Sequence, residues 1–296
     1  MEKLATGYGL IEGPVWDRQR GLLFSDVPNG GVYCLGRSGG IETVVEHRRG
    51  IGGMALHEDG GLIVSGRNVA YKGPASAATV PLLDRDPGLG IVGFNDLTTD
   101  TAGRIFVGSL CWSPLDPEPR RTPGWLHVID LDGSSRRIAD NVLLTNGLGF
   151  SPDGTRLYHS DSLAHLVGVY DVRLDGSVGP RRTFARVDDG IPDGLAVSAD
   201  GAVWVAAARG GAVIVFEPDG RERERIACPL PMVTSVCFGG DDLADLYIVT
   251  GSEGAGPNAG SIFRLRAEVA GLPVPLARVK VTQGVKGGGG SPGSRP

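Results

Sequence analysis

Apolar and polar residues alternate in short runs along almost the whole chain, and the runs are broken by Gly, Pro, Asn and Asp. A period of two predicts strands with one buried face, and Asp-Gly pairs between the runs predict tight turns. Helical spacing of apolar positions is almost absent, which disfavours doubly wound and α/β-barrel folds. The runs also repeat. An alternating segment, a turn, and a second run rich in Val, Leu and aromatics recur as EGPVWDRQRGLLFSD from Glu12, GGMALHEDGGLIVSG from Gly52, NDLTTDTAGRIFVGS from Asn95, NGLGFSPDGTRLYHSD from Asn146, DGLAVSADGAVWVAA from Asp193 and TSVCFGGDDLADLYIVT from Thr234. The starts lie about 40 to 50 residues apart, the period of propeller blades. Third strands follow, as in GGVYCLG at Gly30 and GAVIVFEPDG at Gly211, and fourth strands in places, as in IETVVE at Ile41. The predicted fold is all-β: a six-bladed β-propeller in one domain, residues 1–282, followed by a flexible Gly/Ser/Pro-rich tail, residues 283–296.

In such a fold the first strand of each blade lines the central channel, and the strand starts converge on one face. The residues at the starts are Glu12, Gly52, Asn95, Asn146, Asp193 and Thr234. Glu12, Asn95, Asn146 and Asp193 bring two carboxylates and two carboxamides to the axis, a donor set suited to a hard divalent cation. Ca²⁺ is the expected ion, with Mn²⁺, Mg²⁺ and Zn²⁺ left open. Asn-Gly and Asp-Gly are also common turn dipeptides. Register separates the two uses, because Asp153-Gly154 and Asp200-Gly201 come later in the same units, where the hairpin turns belong.

Composition adds exclusions. With 296 residues, 41% of them hydrophobic, and a formal net charge of -5, the chain can bury a sizeable core. Its basic pairs, Arg120-Arg121, Arg136-Arg137 and Arg181-Arg182, are scattered, which argues against a nucleic-acid partner. Cys34, Cys111, Cys228 and Cys237 form no CxxC pair and stand apart from any His cluster, so a zinc or redox motif is not expected. Cys237 reads as a buried small hydrophobe. MEKLATGYGL lacks the apolar core of a signal peptide, and no run approaches the length of a membrane span. The expected setting is cytoplasmic, without membrane contact, as a monomer or weak homo-oligomer acting on a small molecule.

The segments EGPVWD with LLFSD, FNDLTTDTAGRIFVGS, TNGLGFSPDGTRLYHSDS, IPDGLAVSADGAVWVA, and TSVCFGG with LYIVT resemble, in order and spacing, the senescence marker protein, gluconolactonase and luciferin-regenerating-enzyme family of six-bladed propellers. The resemblance runs from about residue 8 to residue 266. It implies that Glu12, Asn146 and Asp193 bind a catalytic divalent metal, and that Asn95 is a fourth ligand or a substrate contact. It further implies metal-dependent hydrolysis of a lactone, with Asp193 as general base and Glu12 as the alternative base. Sugar-lactone members often carry an Arg two residues before the Asn of the NDG-like motif, and this chain has Gly93 there. The substrate is therefore open to lactones other than sugar lactones.

The two longest irregular stretches, Gly66 to Gly90 and Cys111 to Trp125, are expected to cover the channel mouth. Tyr71 and Trp112 are the candidate substrate contacts within them, and Asp116 and Glu118 are acidic candidates by neighbourhood alone. Strict alternation places Asp96 on the face opposite Asn95, where a structural role, bonding loop amides, stands beside a catalytic one. Asp161 is expected to be a blade contact and His159 a half-buried strand residue. Two further functions fit the same pattern: a metal-dependent isomerase or cyclase of natural-product biosynthesis, and a non-catalytic propeller scaffold.

Overall fold

The alternating runs pair into six antiparallel sheets of four strands each, one per repeat. A computed structural model describes residues 1–74, 76, 78–114, 116 and 120–282. The tail expected at residues 283–296 lies outside the described residues, as do Leu115 and Glu118. The innermost strands are Ile11–Asp17, Met54–Leu56, Gly93–Thr99, Thr145–Phe150, Ile191–Val197 and Val233–Gly239. Each touches the next and the last touches the first, so they form a ring around a channel. We call the face carrying their first residues the upper face.

The ring closes by exchange between the chain ends. The N-terminal strand Glu2–Tyr8 is the outer strand of the sixth blade, where it pairs with Gly260–Arg266. Side chains between blades supply the core. Val167 and Val169 of the fourth blade pack with Leu195 and Val205 of the fifth, and Ile11 and Phe24 of the first pack with Val249 and Ile262 of the sixth. Each such side chain contributes roughly 1.5–3 kcal/mol on full burial. Because every blade buries both faces against neighbours, the sheets read as nearly continuous apolar runs; Gly21–Asp26 and Val203–Ala208 are buried at every position.

One expected loop contains two strands. Within Gly66 to Gly90, residues Val69–Lys72 and Thr79–Leu83 are the third and fourth strands of the second blade, and a single 3-10 turn, Pro87–Leu89, follows. A fourth strand is present in every blade.

Beyond the sixth blade an extended strap crosses the lower face. Leu272 N–H donates to Val197 O at 2.8 Å, Ala277 N–H to Leu56 O at 2.8 Å and Arg278 N–H to Gly103 O at 2.9 Å. Leu272 to Leu276 thereby roof a cavity of about 730 Å³ in the lower half of the channel, walled by Leu148, Phe150, Leu195, Val197 and Phe238. Among the described residues no helix is long and apolar enough to cross a membrane.

Candidate functional site

Strand pairing slips at one level of the inner ring. The shifts fall between Glu12 and Val15, Phe94 and Leu97, Thr145 and Leu148, and Pro192 and Leu195. A bulge of this kind leaves extra residues unpaired and re-aims their side chains. Counted back from the bulge, Asn95, Asn146 and Asp193 are in register with one another and with Gly13. Glu12 therefore starts one position earlier than the repeat implies, and its additional methylene offsets part of that difference.

Small neighbours make room for these side chains. A Cβ at Gly52 would stand 1.9 Å from Asn95 Oδ1, and one at Gly53 would stand 2.7 Å from Asp96 Oδ1. The second blade thus contributes no oxygen of its own but a hollow that the third blade fills. Gly147 and Gly194 serve close packing in the same way: a Cβ at Gly147 would fall 2.3 Å from Leu195 N, and one at Gly194 would fall 1.9 Å from Ser235 Oγ.

Hydrogen bonds then fix the carboxamides. Asn95 Nδ2 donates to Asn146 Oδ1 at 2.7 Å and to Thr145 O at 2.8 Å. Asn146 Nδ2 donates to Ser162 Oγ at 2.8 Å, and Ser162 Oγ donates to Pro192 O at 2.6 Å. The chain of donors links the third, fourth and fifth blades and leaves Asn95 Oδ1 turned towards Gly52. Ser162 was not foreseen, although it lies in the YHSDS segment beside the turn that follows the second strand.

The carboxyls show no such satisfaction. Asp193 is 5% exposed, and its Oδ1 is buried without a hydrogen-bond partner. Burial and the nearby Asp96 carboxyl hold Asp193 well above the ordinary carboxylate range, against one backbone N–H from Gly194. Burial, then Asp193, then Asp96 raise Glu12 in the same way, against a backbone N–H from Gly13. Burial pushes Asp96 up to about 7, although its Oδ1 accepts from Leu97 N–H at 2.8 Å. The expectation that Asp96 points away from the axis therefore fails. Alternation does not hold through a bulge, and Asp96 joins Glu12 and Asp193 while also bordering the apolar cavity below.

The three carboxyls are near enough to raise one another electrostatically, Asp193 and Asp96 acting on Glu12 and Asp96 on Asp193, with no Lys, Arg or His compensating them in these shifts. Such an arrangement is destabilising unless protons or a cation neutralise it. Among the described residues no three His, Cys, Asp or Glu side chains stand close enough together to form a metal cluster by themselves. Any cation at the axis would accordingly need carboxamide oxygens as well, and Asn95 and Asn146 stand there.

The two aromatic candidates lie elsewhere. Tyr71 is on the third strand of the second blade near the lower hairpin: its hydroxyl donates to Asp59 Oδ2 at 2.6 Å and its ring meets His57. It is not a contact of the upper mouth, because residues 69–72 form strand rather than lid. Trp112 is at the upper face but 8% exposed, with its Nε1–H donating to Leu143 O at 3.0 Å and Arg121 5.9 Å over its ring. It anchors the loop next to the segment leading into Asn146. Asp116 is exposed.

Asp161 is the blade contact expected. Fully buried, it accepts from Leu143 and Leu144 N–H and from Arg181 Nη1 at 2.9 Å. Asp26 does the same in the first blade, accepting from Gly9 and Leu10 N–H. His159 is fully rather than half buried, shares a 2.9 Å hydrogen bond with Thr145 Oγ1, and is held down to about 4 by burial. Cys237 is buried as expected, and burial pushes its thiol up to about 12.

Residues 10–252 match the family model described as the SMP-30/Gluconolactonase/LRE-like region. A 6-deoxy-6-sulfogluconolactonase of Pseudomonas putida is 35% identical over 279 residues, covering 90% of this chain and 94% of that protein. Regucalcin of Gallus gallus is 30% identical over 282 residues, with 90% and 94% covered. A solved gluconolactonase structure from Xanthomonas campestris superposes with a TM-score of 0.77 at 26% identity, covering 89% of this chain and 88% of that one. The ring of blades, the oxygen-bearing strand starts and these matches lead to one assignment: the chain belongs to the SMP-30/gluconolactonase/LRE-like family.

Proposed function

We propose that the chain is a divalent-metal-dependent lactonase whose reaction centre is the oxygen ring at the channel axis. The observation that carries this reading is the buried, unpartnered Asp193 Oδ1, with Asp96 and Glu12 as uncompensated acidic neighbours. Glu12, Asn95, Asn146 and Asp193 would hold the ion, and their all-oxygen chemistry favours Ca²⁺ over softer metals. When bound, a divalent cation supplies polarisation of an ester carbonyl and charge to balance a developing oxyanion.

The chain's own groups account for the rest. Asp193 is the proposed general base: it is enclosed at the axis, and with the cation favouring its carboxylate form, an oxygen not engaged with the ion can accept a proton. A water gives its proton to Asp193 as its oxygen bonds to the lactone carbonyl carbon. The ring C–O bond then breaks, and the same proton passes from Asp193 to the departing alkoxide, leaving the open hydroxy acid. Asn95, fixed by Asn146 and Thr145, orients the substrate or the ion. The names of the relatives support lactone substrates, among them sugar lactones.

The direct test is hydrolysis of a lactone panel by protein freed of metal and then reconstituted with Ca²⁺, Mn²⁺, Mg²⁺ or Zn²⁺. Activity restored by one of these ions is expected. Equal hydrolysis after complete metal removal would sink metal dependence, and no hydrolysis with any ion would sink the lactonase reading.

A further inference from the structure

The position two residues before Asn95 is Gly93, and the structure shows what stands in its place. Gly66, in the turn between the second and third strands of the second blade, pairs with Phe94 in an isolated antiparallel bridge. Both bonds of the bridge are formed: Gly66 N–H to Phe94 O at 3.1 Å and Phe94 N–H to Gly66 O at 2.7 Å. In this register the residue after Gly66, Arg67, stands directly across from Gly93, and directly opposite residues present their side chains on the same side of the ladder. Geometry agrees, since a Cβ at Gly93 would lie 3.9 Å from Arg67 Cα and 3.0 Å from Gly66 O. The space that a side chain at 93 would claim borders Arg67 instead.

Arg67 is exposed and, among the described residues, has no hydrogen bond or ion pair. Several upper-face arginines are engaged, Arg209 with Glu253, Arg181 with Asp161 and Arg121 over Trp112, whereas Arg49 and Arg186 are exposed without an ion pair among the described residues; what sets Arg67 apart is its place across from Gly93. The turn carrying Arg67 is also held in shape. Arg48, half-buried, donates through Nη2 to Ser65 O, Asn68 O and Asn68 Oδ1, at 3.3, 3.1 and 2.8 Å, and so clamps the residues on both sides of the Gly66-Arg67 pair. Asn68 Nδ2 in turn donates to Asp84. All the partners of Arg48 are uncharged oxygens, so neither guanidinium is directly neutralised by a carboxylate.

We propose that Arg67 is a specificity-determining residue that selects substrates carrying an anionic substituent, such as a carboxylate, sulfonate or phosphate, remote from the reacting carbonyl, with Arg48 as a positioning residue. This rests on the reading of the axis as a lactone-hydrolysing centre. The charge distribution sets the orientation: an unpaired guanidinium beside Gly93 attracts an anionic substituent to the rim of the mouth. The carbonyl end is thereby left to the axis.

The test compares D-glucono-1,5-lactone with its 6-phospho derivative on the Ca²⁺-loaded protein. Wild type should favour the phosphorylated lactone. Arg67→Ala should raise KM for it by about ten- to a hundredfold, the size of lost hydrogen bonds to a charged group, while its kcat and the kinetics of the neutral lactone stay within about twofold. Arg67→Lys should restore part of the loss, and Arg48→Gln should lower discrimination in the same direction.

Calorimetric binding of 6-phosphogluconate against gluconate reads recognition without turnover. If neither lactone is hydrolysed but Arg67→Ala abolishes tighter binding of phosphogluconate, the anion subsite stands and the lactonase reading falls. If both lactones are hydrolysed and Arg67→Ala changes neither discrimination nor binding, the lactonase reading stands and this inference is overturned. Equal losses on both lactones would also overturn it.

Discussion

Replacing Gly52 with Ala tests the construction of the site without touching any proposed ligand. Gly52 has no positive φ, so its backbone accepts alanine without strain. The added Cβ, however, would stand 1.9 Å from Asn95 Oδ1 and 2.9 Å from Asn95 Cγ, where ordinary contact begins near 3.4 Å. The carboxamide must therefore withdraw by about 1.5 Å, the difference between those distances. That movement breaks its bonds to Asn146 Oδ1 and Thr145 O. Two such bonds are worth about 2 kcal/mol together, and alanine returns about 0.4–1 kcal/mol through the unfolded state. Net destabilisation should thus stay near 1 kcal/mol, a small shift in urea midpoint.

Function should suffer more than stability. A displaced Asn95 and a loosened Asn146 should weaken Ca²⁺ binding by about ten- to a hundredfold, the usual effect of disturbing groups that orient ligands. Titration calorimetry with Ca²⁺ and kcat/KM on a responsive lactone measure this, with Gly40→Ala as control because no atom lies within 4 Å of a Cβ there. Adding Gly52→Ala to Asn95→Ala should cost little more than Asn95→Ala alone, since the clash has been removed. Wild-type Ca²⁺ affinity and kcat/KM in Gly52→Ala would refute the reasoning, as would its failure to fold.

Two more outcomes follow from the uncompensated carboxyls. Asp193→Asn should lower kcat by at least about a thousandfold if Asp193 is the base, yet leave the metal-free protein as stable as wild type or more so, because a buried carboxyl without a partner for Oδ1 is removed; a marked fall in melting temperature without metal would contradict it. Chelated wild type should lose stability as pH rises from about 4 to about 7: Asp96, raised from 3.8 to about 7, keeps a proton in the fold that the unfolded chain releases, an effect on the order of 4 kcal/mol. Stabilisation from this source is complete below the unfolded value and lost above the folded one. Ca²⁺ should flatten the slope, and urea midpoints across pH 5 to 8 with and without the ion would expose a flat or rising chelated profile, contrary to this argument.

The blades were readable from the chain because each buries two faces, and the apolar runs that result recur with the turn residues at fixed offsets. Asn95, Asn146 and Asp193 were readable for the same reason: a closed ring of repeats brings equivalent positions to one axis, while Glu12 lies one position out of register with them. Asp96 was not, since reading it required the bulge after Phe94, and a bulge is a property of pairing rather than of alternation. The fourth strand of the second blade was hidden by Pro81, which normally counts against a strand. It is tolerated because Thr79–Leu83 is the outermost strand, where a missing N–H leaves no neighbour unpaired. That error carried Tyr71 into an imagined lid. The role of Arg67 depends on the bridge between Gly66 and Phe94, which lie in successive blades and pair outside both blades' own sheets.

The N-terminal strand that completes the sixth blade also sets a timetable. Lys3 pairs with Phe263, so the ring cannot close until residues near 263 have left the ribosome. Glu12 follows that strand directly, whereas Asp193 belongs to the fifth blade. A growing chain can fold blades in order and join Asn95 to Asn146 early, but the two acidic halves of the axis meet only at the final closure. Contacts of such sequence separation form slowly. Until that closure Glu12 is not held against Asp193, and its part of the unfavourable cluster is assembled only when the whole ring is available to hold it.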